Sequence, residues 1–310
     1  MDLTDVVSHA RAALERCPPG HNDRDYALYN LAKALSNRFK TEGKSDDMDE
    51  AIVLHRVALE LRPSGHPRRF SSLHNLALCL SDRYKSQGVI ADLEEAVRLA
   101  RAALELCSPG HPNHDISLHN LAYYLRERFQ KQAVMRDLDE AIELHRAALE
   151  VRSSGHPRRS SSLHGLSLCL SDRYEDQGVA ADLEEAVTLG RAALELRPLG
   201  HPDRDLSLFG LAVCSRNRLA AHDLDEAIKL HREALELRPF GHPHRSSSLA
   251  WLALCLSERY DNQGVVVDLE EAVTLERAAL ELRPPGHSDR DVSLYNLAYY
   301  LGKSFRSRLQ

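Results

Sequence analysis

Aromatic residues are scarce in this sequence: Phe, Trp and Tyr make up 5% of its 310 residues, and Trp251 is the single tryptophan. A core must therefore be built mainly from small and aliphatic side chains. No apolar run approaches the roughly 18–20 residues that a membrane-spanning helix needs. The opening "MDLTDVVSHARAALERC" does not have the pattern of a secretory leader. Positive charge is not in excess either. The formal net charge is −6, with both signs mixed along every segment. Neither nucleic acid nor an anionic membrane surface is an expected partner, because both need a basic stripe. Six cysteines, at 17, 79, 107, 169, 214 and 255, include no C-x-x-C pair, so reduced thiols in the cytoplasm are expected. There is no Gly-rich phosphate loop, no G-x-S-x-G and no H-E-x-x-H. No catalytic role and no cofactor is expected.

What is present is a period. Gly-His occurs at 20, 65, 110, 155, 200, 241 and 286, with spacings of 45, 45, 45, 45, 41 and 45 residues. Each period holds two amphipathic segments. In "SLHNLAYYLRERF" (117–129), Leu118, Leu121, Ala122 and Leu125 follow the i, i+3, i+4, i+7 rule. In "DLDEAIELHRAALEV" (137–151), Leu138, Ala141, Ile142, Ala148 and Leu149 form a second stripe. Asp137 with Glu140 has the spacing of an N-cap and its capping-box partner, and D-x-x-E recurs at 47/50, 92/95, 182/185, 223/226 and 268/271. Pro63, Pro198, Pro239 and Pro284 stop the second helix, and the following Gly is read as its left-handed C′ residue. The histidine after that glycine is expected to bond or pack within the turn. His111, His114, His242 and His244 bring no further ligand at helical spacing, so no metal is expected.

A longer pattern overlies the period. Residues 66–99 are nearly repeated at 156–189 and 242–275, as if pairs of hairpins had been duplicated. Copying accounts for Cys79, Cys169 and Cys255 as one position, and for Cys17 and Cys107 as another.

The spacing inside each unit resembles the tetratricopeptide repeat. Leu118, Leu121, Ala122 and Leu125 match its first helix; Ala51, His55, Ala58 and Pro63 match its second, with His where an aromatic is usual. "SLHNLA", "EAIELHRAALE" and "GHPDR" are most similar to the longer repeats of kinesin light chains. Against a repeat of about 34 residues, seven extra residues lie between the helices and four after the second. The resemblance implies an all-α, right-handed superhelical solenoid of antiparallel hairpins. It further implies that residues 1–310 form one array of about six full hairpins with a half repeat at each end. In the resembled family the first helices line the concave face, and the same is expected here.

On that basis two columns of the first helix become candidates for partner binding. One contains Tyr29, His74, His119, His164, Phe209, Ala250 and Tyr295; the next contains Asn30, Asn75, Asn120, Gly165, Gly210, Trp251 and Asn296. An Asn amide carries both a donor and an acceptor and can meet an extended backbone without demanding a sequence. Tyr123 and Tyr299, one turn on, and the lone Trp251 add flat apolar contact. A third column, Arg38, Arg83, Arg128, Arg173, Arg218 and Arg259, is expected to pair with carboxylates of the adjacent second helix rather than read an acidic ligand.

The expected function is a non-catalytic scaffold that binds partner proteins or peptides on its concave face. The rival is a regulatory or sensor array belonging to a larger signalling or peptidase-linked protein; an enzyme is the alternative of another class. Two local expectations accompany this. The unit at 203–238 has lost four residues and puts Ser215 where the other units have Leu, a loss of about 2 kcal/mol of burial. Amide exchange should therefore be faster at 211–226 than at 113–150. At the ends, Leu3, Val6, Val7 and Leu14, and Leu297, Tyr300 and Phe305, are expected to show apolar surface, so that copies could associate head to tail.

Overall fold

The computed structural model describes residues 2–218, 221–287 and 289–307; among them it has fourteen α-helices and no strand. In chain order these are α1 (Leu3–Glu15), α2 (Arg24–Glu42), α3 (Ser45–Glu60), α4 (Arg69–Gln87), α5 (Ile90–Glu105), α6 (His114–Gln132) and α7 (Met135–Val151). They continue as α8 (Arg159–Gln177), α9 (Ala180–Glu195), α10 (Arg204–Asn217), α11 (Ala221–Glu236), α12 (Arg245–Gln263), α13 (Val266–Glu281) and α14 (Arg290–Ser307). Even-numbered helices are the first helices of hairpins and odd-numbered ones the second. The chain divides into two compact units, Met1–Asp137 and Leu138–Gln310. Within each, helices adjacent in sequence pack on one another, the pattern of an all-α repeat solenoid.

Each first helix is longer than its apolar stripe. α6 begins three residues before Ser117 and ends three after Phe129, because periodicity reports only the buried face. Its stripe, Leu118, Leu121, Ala122 and Leu125, is buried as expected. In the second unit Leu252, Ala253 and Leu256 of α12 pack with Leu269, Ala272 and Val273 of α13, and with Leu224 and Ile228 of α11.

Helix ends depart from expectation in an informative way. Gly20, Gly65 and their counterparts have φ of 86–93° but do not sit at C′ of the second helix. α1 has already ended at Glu15; Gly20 is the third residue of a β-turn in which His21 N–H donates to Pro18 O at 3.0 Å. A left-handed third residue is the requirement of a type II turn. The histidine then caps the turn, its Nδ1 accepting the N–H two residues on: Asp23 at 3.1 Å for His21, Arg68 at 3.1 Å for His66, and likewise in all seven copies. Left-handed helix caps do occur, but on the first helices, at Gly43, Gly88, Gly178 and Gly264. In α6 that place falls to Ala133, at φ 54°. A Cβ in the left-handed region costs roughly 1 kcal/mol. Ala133→Gly should therefore raise stability by about 1 kcal/mol in urea denaturation, and a lower midpoint would contradict this.

The D-x-x-E pairs are not capping boxes. α3 starts from Lys44 and α5 from Val89, neither of which has a side-chain cap bond. Asp47 and Asp92 are the third residues of their helices. Each carboxylate instead receives two N–H groups from the preceding helix: Arg38 on Asp47 at 2.6 and 2.7 Å, and Arg83 on Asp92 at 2.7 Å twice. Arg128–Asp137, Arg173–Asp182 and Arg259–Asp268 repeat the fork. The arginine column therefore joins the two helices of a hairpin, and Arg38 holds the Asp47 carboxyl below its usual pKa. The glutamates serve the next joint: Glu95 accepts from Arg56 at 2.6 Å, Glu226 from Arg191 at 3.0 and 3.1 Å, and Glu271 from Arg232 at 2.8 and 3.0 Å. A bidentate ion pair on a partly buried carboxylate is stronger than a cap bond from the same oxygen.

α10 is the short first helix, ending at Asn217, and Leu219 and Ala220 of the expected soft segment lie outside the described residues. Its arginine loses the fork: Arg218 reaches Asp223 only at 3.6 Å and turns to Glu184 at 2.9 Å. Ser215 is fully buried, and its hydroxyl has no hydrogen-bond partner. Such an orphan costs about 1–3 kcal/mol, so Ser215→Ala should stabilise the protein by roughly 1 kcal/mol. A destabilised variant in the same denaturation experiment would show that the hydroxyl is needed.

At the ends, Phe305 is exposed as expected, while Leu3, Val6, Leu14 and Leu297 are half-buried. Val7 and Tyr300 correct the expectation, since both are fully buried. Val7 lies in α1, which packs on α2, and Tyr300 joins the core of α12 and α13. A helix of this kind has two apolar flanks, and one is already covered by its own neighbour.

Candidate partner-binding strip on the first helices

The two candidate columns interlock. A residue of the first column meets the residue of the second column that belongs to the next first helix. Asn75 Nδ2 donates to Tyr29 Oη at 2.9 Å and to Ser71 O at 2.8 Å. Asn120 Nδ2 donates to His74 Nδ1 at 3.0 Å. In the second unit Trp251 stands edge-on to Phe209, with ring centroids 6.0 Å apart. A Cβ on Gly210 would fall 2.5 Å from His164, so glycine there makes room for the imidazole. The Asn columns were read as exposed backbone readers, whereas the structure engages the amide nitrogens of Asn75 and Asn120 in ties between repeats. Sequence spacing cannot show this, because the partner lies 46 residues away on another helix.

Tyr29, Asn30, His74, Asn75, His119, Asn120 and Tyr123 are all half-exposed in the first unit. Lys85 Nζ lies over the Tyr123 ring at 4.9 Å. Burial, the largest influence, raises the Tyr29 hydroxyl pKa, with Arg62 and Asn75 opposing it. In the second unit Trp251 and Asn296 are half-exposed, and Tyr295 and Tyr299 are exposed with their rings parallel. Trp251 is also packed locally: it stacks on His231 at 6.3 Å, with the Arg216 guanidinium 5.6 Å from its ring.

Beneath the strip run buried polar groups whose burial the sequence does not show. The second-helix position read as His where the family has an aromatic is His55 in α3 and His231 in α11, both fully buried. Tyr29 and Phe209 meet them edge-on at 5.5 and 5.3 Å. His55 Nδ1 and both nitrogens of His231 have no hydrogen-bond partner. Burial above all, then neighbouring arginines, lowers their pKa values to about 4 and about 3. A second buried set is the arginine that ends a second helix. Arg62 donates to Asp25, Ser72 and the Arg68 carbonyl, and Arg238 to Asp205, Ser248 and the His244 carbonyl. Arg197 has Ser160, Ser161 and Ser207 instead of a close carboxylate.

Among the described residues no three His, Cys, Asp or Glu side chains form a group that could hold a metal ion, and no helix is long and apolar enough to cross a membrane. All six cysteines are free, and burial pushes the Cys79 thiol up to about 11 and Cys255 to about 12. Thiols so buried are poor nucleophiles.

This architecture of interlocked helical hairpins with a 45-residue period defines a class of helical repeat proteins. Residues 70–113 and 116–158 match the tetratricopeptide repeat family. These two segments are tetratricopeptide repeats, and the fold of the chain is similar to that of solved structures with repeats of kinesin light chain type. A Podosopora anserina structure with nearly identical TPR-like repeats of kinesin light chain type is 22% identical, covers 70% of this chain and 96% of its own, and gives a TM-score of 0.51. BtubC (BKLC) from P. vanneervenii is 19% identical over 77% of this chain and 91% of its own, with a TM-score of 0.52. Residues 1–338 of Acl4, an assembly chaperone of RpL4, are 16% identical over 90% and 99%, with a TM-score of 0.55. No curated protein matches the chain in sequence.

Proposed function

We propose that the protein is a non-catalytic scaffold that binds extended segments of partner proteins along the first-helix strip. Tyr29, Asn30, His74, Asn75, His119, Asn120 and Tyr123 contribute in the first unit; Trp251, Tyr295, Asn296 and Tyr299 contribute in the second. The observation that carries this is the contrast between the two helix sets. The second helices are linked outside by Arg–Glu rungs, whereas the first helices present a repeating line of half-exposed rings and amides. With the nitrogens of Asn75 and Asn120 tied to the preceding repeat, their carbonyl oxygens are the groups that receive a peptide N–H, and the ties fix their direction. Preorganised acceptors lose little entropy on binding.

The test uses peptides selected from a random nonapeptide library on the full chain. Replacing Asn30, Asn75 and Asn120 together by Ala should weaken the selected peptides at least tenfold, at about 1 kcal/mol per lost bond. Tyr29→Phe, which removes the Asn75 tie but keeps every Asn, separates loss of a contact from loss of a joint. Unchanged affinity in the triple variant would overturn the proposal.

A further inference from the structure

The joint made by α12, α13 and α14 differs from its counterparts at two positions at once, 250 and 276. At three other joints the first-column side chain meets the second-column residue of the next helix, Tyr29 with Asn75, His74 with Asn120 and Phe209 with Trp251, and at a fourth Gly210 leaves room for His164. At this joint the pair is Ala250 and Asn296. Alanine offers nothing to bond, and the Asn296 side chain makes no hydrogen bond to the described residues. At the second-helix position that His55 and His231 take in their own joints is Glu276. Its side chain is 0% exposed, and neither carboxylate oxygen has a hydrogen-bond partner. Burial raises its pKa, outweighing the nearby Ser293 and Arg283.

Of the cations around it, Arg283 keeps a buried Nε without a hydrogen-bond partner, and none donates to Glu276. Arg283 gives Nη1 to Ser293 Oγ at 2.6 Å, and Arg216 forks onto Glu258 at 2.5 and 2.8 Å. Lys303 is bonded to Asp261, with its Nζ 4.3 Å from the Tyr299 ring centre. Tyr295 stacks parallel to Tyr299 at 6.5 Å. The joint thus combines a buried acid whose oxygens meet no donor at hydrogen-bond geometry, an alanine where the first-column ring of other joints stands, and a stacked pair of tyrosines on the same helix as Asn296. A buried carboxylate lacking donors is costly, and a cationic N–H group supplies both the charge and the hydrogen bonds.

We infer that this joint is a socket for a basic side chain of the bound peptide: a lysine or arginine head passes between Ala250 and Asn296 to Glu276, its aliphatic stem lying along Tyr299. The inference rests on the strip being the peptide-binding face. Entry requires Asn296 to change rotamer, which breaks no hydrogen bond to the described residues. The competing role for Glu276 is that of a structural counter-charge to Arg283, which predicts no effect on any peptide.

Nonapeptides selected on the full chain with Asn30, Asn75 and Asn120 replaced by Ala are the probe, since a peptide of that length reaches only about 30 Å and need not touch the first unit. They should share one Lys or Arg, and norleucine at that position should weaken binding at least tenfold. Glu276→Gln should weaken the basic peptide at least tenfold and leave the norleucine version unchanged. Ala250→Tyr, which rebuilds the ring that closes the first joint and keeps the acid, should produce the same loss. It also serves if Glu276→Gln does not fold. Selected peptides with no common basic residue, or equal binding by wild type and both variants, would overturn the socket. In those cases a weakened Asn30/Asn75/Asn120 variant would still support the strip. Failure to select any peptide on this background would overturn the socket, and failure on the wild-type chain as well would overturn both.

Discussion

Acidification from pH 7 to pH 4 should remove on the order of 5 kcal/mol of stability through His55 and His231 alone. In the folded chain their pKa values are depressed to about 4 and about 3, by burial first and by Arg62, Arg238 and Arg216 next. In the unfolded chain both titrate near 6.5. The unfolded state therefore takes up protons first as pH falls. The stabilisation is complete above about 6.5 and is lost progressively down to the folded values. A domain of ordinary stability holds about 5–15 kcal/mol in all, so unfolding near pH 4 is within reach. Arg38 holds the Asp47 carboxyl below its usual pKa, which takes that group out of this window. Melting curves from pH 7 to 4, compared with a His55→Phe/His231→Phe variant, test the point. The variant keeps a ring where each stands, removes the orphan nitrogens, and should flatten the acid slope between pH 6.5 and 4.5. An undiminished slope would show that these imidazoles are not the cause.

Arg238→Ala should cost about 3–5 kcal/mol, enough to unfold much of the protein at moderate urea concentration. The guanidinium is buried. It gives Nε to Asp205 at 2.7 Å and Nη1 to Ser248 at 2.6 Å, and it lies 5.0 Å from the Phe209 ring. Removing it leaves the buried Asp205 carboxylate without its cation, and that desolvated charge is the main cost. The chain contains its own apolar solution to the same joint. At the corresponding positions it has Phe70 and the buried Cys107 in place of Asp and Arg. Asp205→Phe with Arg238→Cys should therefore recover most of what Arg238→Ala loses. If the double variant is no more stable than the single, the loss lies in packing against Phe209 rather than in the stranded charge.

The carboxylate-less joints extend the same logic. Arg283 Nε is buried without a partner, and position 246 is Ser where Asp205 serves Arg238. Joints built on one template thus differ mainly in how the buried guanidinium is neutralised.

Much of this was readable along the chain. The period of Gly-His, the stripes such as Leu118-Leu121-Leu125 and the fourteen segments follow from rules that act within about one helical turn, and those rules hold wherever the segment is placed. The Arg–carboxylate pairing of α2 with α3 was also legible, since Arg38 and Asp47 are nine residues apart across one tight connection. Other features could be seen only in three dimensions. Asp47 and Glu50 read as a cap and its partner; yet Asp47 goes back to Arg38 and Glu50 accepts from Arg11 of the preceding second helix. Asn75 and Asn120 read as exposed amides, and stacking set them against Tyr29 and His74. No sequence pattern marks Glu276, whose burial comes with the packing of α13 against α12 and α14. The division has a physical cause. Hydrogen bonds along a helix and the period of its apolar face depend on local spacing, so composition and register specify them. The partner of a polar side chain depends on which helix lies alongside and at what height, and that is set only when the hairpins stack.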